Sequence, residues 1–121
     1  MSQLPITYDI EMKQGAKWTL TLELSTNGVA KSLTGYSAKM EIRPSENSAE
    51  IYETLSTTSG EIVITAATGT IQLTLTKSET DALNFKRAVY DLYLRDAADA
   101  DADVCLVEGE VLLHRRVTQW S

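Results

Sequence analysis

The sequence has a single cysteine, Cys105, and a single histidine, His114, among its 121 residues. One thiol cannot form an internal disulfide, so a thiol-reducing compartment suffices. Basic charge is scarce: eleven Lys and Arg against seventeen Asp and Glu give a net charge of −6 and a pI near 4.7. That balance disfavours nucleic acid and anionic membrane as partners, both of which need clustered positive charge. No run approaches the roughly twenty apolar residues of a membrane span. The first twenty residues carry Asp9, Glu11 and two lysines without an apolar block, which argues against a signal peptide. A glycine-rich phosphate loop and a Gly-x-Ser-x-Gly elbow are both missing.

These absences leave catalysis little to stand on, since it needs a nucleophile, a base and a means of stabilising charge. His114 lies beside Arg115 and Arg116 in a strand-like run, where a lone histidine is ordinarily a surface or packed residue. Cys105 reads as a small buried side chain of a core strand. No motif surrounds either, so the chain is expected to be no enzyme, with no catalytic, metal-binding or cofactor-binding residues.

What is present is the composition of one globular domain, 1–121, with 43% hydrophobic and 23% charged residues. Its dominant pattern is period-two alternation, which puts every other side chain on one face of a strand. Ile6, Tyr8, Ile10 and Met12 share a face; so do Trp18, Leu20, Leu22 and Leu24, against Lys17, Thr19, Thr21 and Glu23. Asn27-Gly28 follows as a tight turn. Tyr36, Ala38, Met40 and Ile42 make the next inward set, and Pro44 ends that strand. Shorter runs are predicted around 51–55, 62–64 and 71–75. Ser78-Glu79-Thr80-Asp81 has the serine cap and acidic start of one helical turn, at about 78–84. Ala88, Tyr90, Leu92 and Leu94 alternate after it. The last run, 104–117, offers Cys105, Val107, Val111 and Leu113 as an inward set. Gly109 within it marks a bulge or a close backbone approach. Seven or eight short strands with frequent turns predict an all-β, antiparallel sandwich with one short helical turn, a small barrel being the second choice.

Two features could carry a site. Asp99, Asp101 and Asp103 alternate, with Glu110 eleven residues after Asp99, which is the acid spacing of a calcium loop. Position six of that pattern, which needs glycine, is Val104, and the run beyond it reads as a core strand. The stretch 96–103 is therefore read as a solvated, mobile hairpin tip, with a looser cation site as the alternative. The second feature is aromatic. Tyr52 and Tyr93 fall on the face opposite the expected core, and Trp120 stands near Arg115 and Arg116. Exposed aromatics and arginine are enriched at interfaces, so these five residues form a candidate partner surface. Trp120 folded back over the sandwich edge and a sugar platform on the two tyrosines are the alternatives.

The order of the pieces also resembles a family. It runs Gln14-Gly15-Ala16, Leu33-Thr34-Gly35-Tyr36 with Ala38, Met40, Ile42 and Arg43, then Gly69-Thr70-Ile71 with Leu73. It continues through Ser78, Thr80 and Leu83 to Ala88-Val89-Tyr90-Asp91-Leu92, Leu106, Glu108-Gly109 and Val111. Over about residues 12–113 this is similar to the immunoglobulin-like N-terminal domain of phage baseplate upper proteins and related tail- or neck-associated proteins. The resemblance implies an immunoglobulin-like sandwich and a virion structural role in tailed bacteriophage. The chain would be made in the host cytoplasm. It would bind other virion proteins of tail, baseplate or neck as a homo-oligomeric ring, without catalysis. Capsid decoration and surface carbohydrate or receptor binding are the competing roles.

Overall fold

The computed structural model describes residues 6–118 apart from 27 and 31. The chain enters through β1 (Ile6–Thr7) and β2 (Ile10–Lys13), turns into β3 (Trp18–Glu23), and makes a small hairpin of β4 (Ser25–Thr26) and β5 (Val29–Ala30). It continues through β6 (Tyr36–Arg43), β7 (Glu53–Ser56), β8 (Ile62–Thr65) and β9 (Thr70–Leu75). The helical turn α1 (Lys77–Asp81) then leads into the long hairpin of β10 (Arg87–Asp96) and β11 (Asp99–His114). The larger sheet is ordered β1-β11-β10-β6-β7, with β2 also on β11; the smaller is β3-β9-β8. The fold is an all-β sandwich. Most pairs are antiparallel, but β1 and β2 run parallel to β11.

Alternation decides which side chains meet between the sheets. Ile10, Met12, Met40, Ile42 and Leu92 from the larger sheet close on Ile71, Leu73, Leu75 and Ile62 from the smaller one, all essentially inaccessible to solvent. Burial of such side chains stabilises by about 1.5–3 kcal/mol each before the entropy of ordering is subtracted. Strand β3 is different. Trp18, Leu20, Leu22 and Leu24 pack against the core yet are only half-buried, because β3 is the outermost strand of the smaller sheet.

Four local expectations change. The helical turn is capped by Thr76, not Ser78: the Thr76 hydroxyl accepts from the Glu79 amide, and the Glu79 carboxylate accepts from the Thr76 amide. In β11 a bulge intervenes between the Leu92–Val107 and Tyr93–Cys105 pairs. The extra residue, Leu106, takes the buried place, so Cys105 moves to the opposite face, only partly covered. The stretch 96–103 is a tight turn at 97–98 followed by strand, with Asp99–Asp103 part of β11. Ile6 and Tyr8 are exposed although in phase with buried Ile10 and Met12: the edge strand is interrupted at Tyr8-Asp9, and only the part beyond the break, β2, carries its apolar side chains into the core.

Of the two readings of Gly109, a bulge or a close backbone approach, the structure has the second; the bulge lies at Leu106. A Cβ there would lie 2.4 Å from the Tyr8 carbonyl oxygen and 3.0 Å from Asp9 Oδ1. The Tyr8 carbonyl also accepts from the Tyr90 hydroxyl, while the Glu110 amide donates to Asp9 Oδ1 at 3.1 Å. The N-terminal strand is thus seated where β11 has no side chain.

Candidate interaction face

The outer face of the larger sheet is built by the polar half of each alternating strand. Lys39, Glu41 and Arg43 come from β6, and Val89, Asp91, Tyr93 and Arg95 from β10. Asp103, Glu108 and Glu110 come from β11. Together with hydroxyls of residues 56–58 they line a shallow open concavity of about 920 Å³. Register sorts them into cross-strand rows. Glu41 stands opposite Asp91, which stands opposite Glu108; Lys39 stands opposite Tyr93, which stands opposite Cys105.

Ion pairs border the concavity. Arg43 donates to Glu41 Oε1 through Nη2 at 2.6 Å and Nε at 3.1 Å, and its Nη1 donates to the Ser48 carbonyl at 2.6 Å. Arg95 grips both oxygens of Asp103, with Nη2–Oδ2 at 2.6 Å. The Arg43 guanidinium holds the Glu41 carboxyl below its ordinary range. Asp91 goes the other way: partial burial first, then the charges of Glu41 and Glu108, hold its carboxyl above the ordinary range. Like charges directly opposite on neighbouring strands are destabilising.

This arrangement fixes a pH dependence. A carboxyl whose pKa is higher in the folded state binds its proton more tightly there, so its destabilising effect fades as pH falls through the folded value. Asp91→Asn is therefore expected to stabilise the domain at neutral pH by a few tenths to about 1 kcal/mol, discounted for solvent screening. The difference should shrink as pH falls through the folded pKa of Asp91 toward the ordinary carboxyl value. Urea midpoints of the two proteins across that range measure it. A loss of stability at neutral pH would show instead that the carboxylate is compensated within the fold.

The five candidate partner residues are dispersed. Tyr93 is on the outer face, 43% exposed, in the middle of the concavity. Tyr52 does not point outward as expected: it packs against the core and stacks on Phe85 with ring centroids 4.7 Å apart. Tyr52 sits in a bend just ahead of β7, so the alternation of that strand does not extend to it. The two tyrosines therefore form no common platform. Arg116 is occupied internally. Its guanidinium lies against Gly15, where a Cβ would meet Nε at 2.6 Å, and Nη1 is 3.5 Å from Asp81. Arg115 is exposed, and its carbonyl accepts from Lys13 Nζ at 3.1 Å. Trp120 lies outside the described residues.

Cys105 and His114 are not brought together. They sit about nine residues apart on one strand, a separation of roughly 30 Å. Burial, then Asp91 and Glu108, push the Cys105 thiol up, away from a reactive thiolate. His114 Nε2 is 2.8 Å from Glu11 Oε1 across the β2–β11 pair. Among the described residues no cluster of His, Cys, Asp and Glu could hold a metal ion, and no helix is long and apolar enough to cross a membrane.

The family model described as an LtfC-like, beta-sandwich domain matches residues 5–113. A search of curated proteins finds no match. Among solved structures, the N-terminal domain of phage TP901-1 ORF48 superposes with a TM-score of 0.54 at 13% identity, covering 90% of this chain and 95% of that one. The extracellular domain of the voltage-gated sodium channel beta4 subunit gives 0.46 at 12% identity, covering 97% and 98%.

Proposed function

We propose, since the chain belongs to the LtfC-like β-sandwich family, that it is a non-enzymatic structural component of a phage particle. In this reading it is an adaptor that binds other virion proteins of the tail, baseplate or neck in multiple copies. The observation that carries the reading is the end-to-end likeness to a phage domain, in which nearly all of each chain finds a counterpart. The resemblance of the sequence to baseplate upper proteins points the same way. The outer face suits such a role. An open concavity with Tyr93 at its centre and ion pairs around it offers broad polar contacts to a protein surface, whereas small ligands favour enclosed apolar pockets.

Quantitative mass spectrometry of purified particles of the encoding phage tests this. A copy number equal to a small multiple of one ring supports an adaptor at a symmetric joint. A number matching the capsid or tail-tube subunits would replace it with decoration, and absence from the particle would overturn it.

A further inference from the structure

Natural sheets protect their edges with short strands, kinks, prolines or inward charges. Three of the edges here follow that practice. The strands β7 and β8 have four residues each, and the β1–β2 rim is broken at Tyr8-Asp9. The outer edge of β3 does not: six residues of Trp-Thr-Leu-Thr-Leu-Glu run without proline, glycine or bulge. Among the described residues no strand pairs with its far side. Behind that edge lie the half-buried Trp18, Leu20 and Leu22.

The backbone phase of the edge is fixed by its other partner. Leu24 N–H donates to the Gly69 carbonyl on the β9 side, and the β3–β9 register continues the alternation through Leu22, Leu20 and Trp18. Thr19, Thr21 and Glu23 therefore direct their amides and carbonyls outward, to the unpaired side. Two charges flank the row on the solvent face, Lys17 and Glu23. Neither has an ion-pair partner among the described residues.

We infer that β3 docks on β3 of a second copy, antiparallel about a two-fold axis at Leu20, joining two three-stranded sheets into one of six. Three independent features select this register. It sets Thr19 opposite Thr21 of the partner copy, so outward-pointing backbone groups meet each other as ladder bonds require. It sets Leu20 on Leu20 and Trp18 on Leu22, closing the half-buried apolar row on itself. It sets Lys17 opposite Glu23 at both ends, which a shift of one pair would undo. The contact is isologous and closed, whereas docking on another copy's β8 would be heterologous and open-ended. An edge this short buries less than the roughly 1,600 Å² of a standard interface, so the dimer of the isolated chain is a weak one. This inference stands apart from the virion reading and would survive its failure.

Sedimentation equilibrium of the purified chain at low salt, from micromolar to millimolar, provides the test. The expected result is a monomer–dimer equilibrium that Lys17→Glu or Glu23→Lys each weakens by about tenfold or more, through like charges set opposite one another. The double variant, which restores opposite charges, should recover the dimer, and a misfolded protein could not give that recovery. Thr21→Pro, which deletes an outward amide that no strand among the described residues uses, should abolish dimerisation while leaving the far-ultraviolet spectrum unchanged. Hydrogen exchange at the Thr19 and Thr21 amides should slow with concentration. A chain monomeric throughout, or a dimer indifferent to these changes, overturns the inference.

Discussion

Gly109→Ala is expected to destabilise the domain by about 3 kcal/mol, lowering the melting temperature by roughly 10 °C. The smallest possible side chain has this effect because its Cβ would fall 2.4 Å from the Tyr8 carbonyl oxygen and 2.9 Å from the carbonyl carbon. Both are backbone atoms, so no rotamer change relieves the clash; the N-terminal strand must lift. Lifting it breaks the hydrogen bond from Tyr90 Oη to Tyr8 and the one from the Glu110 amide to Asp9. Tyr90→Phe isolates part of that loss, expected at about 1–2 kcal/mol. Thermal melts and urea titrations of both variants check the pair. A Gly109→Ala protein within about 0.5 kcal/mol of the parent would mean that the strand does not need this seat.

Thr80→Val carries the second large effect, about 2–4 kcal/mol, although it preserves the shape of the side chain. Thr80 is the one buried polar residue among the described core positions. Its hydroxyl accepts from the Gly15 amide at 3.1 Å and donates toward the carbonyls of Ala16 at 2.9 Å and Lys77 at 3.1 Å. Replacing it with a methyl strands those backbone groups next to apolar atoms. It also releases α1 from the β2–β3 turn, which Gln14 further ties by donating to the Leu83 carbonyl at 2.9 Å. Thr80→Ser keeps the hydroxyl and loses one methyl, so it should cost only about 1 kcal/mol. Denaturant midpoints that rank serine no better than valine would refute the hydrogen-bond account.

The contrast between these residues and the outer face shows what a sequence of this kind discloses. Alternation at Met40 and Ile42, or at Leu92 and Leu94, identified strands and inner faces because burial on one side imposes a period of two. Gly109 was legible as a bulge or a close approach for a related reason: glycine in a strand otherwise weakens it. The bulge at Leu106 was not, since one inserted residue shifts the phase without altering composition, and Cys105 was placed inward as a result. Tyr52 differs for another reason: it lies in a bend ahead of β7, where strand alternation does not apply.

The candidate face was half visible. Glu41 and Asp91 stood on outward positions of their strands, but their juxtaposition with Glu108 depends on how strands distant in sequence are aligned. Register of that kind is a tertiary property. The direction of the N-terminal strand, parallel to β11, was hidden for the same reason.

That parallel pairing also orders events in time. Ile6 and Ile10 meet Val107 and Val111, partners about a hundred residues downstream, whereas β10 meets β11 across a tight turn. Closing so long a loop is entropically expensive and slow relative to zipping a hairpin. During synthesis β2 has no partner strand until β11 has been made, and Ile10 and Met12 are uncovered until then.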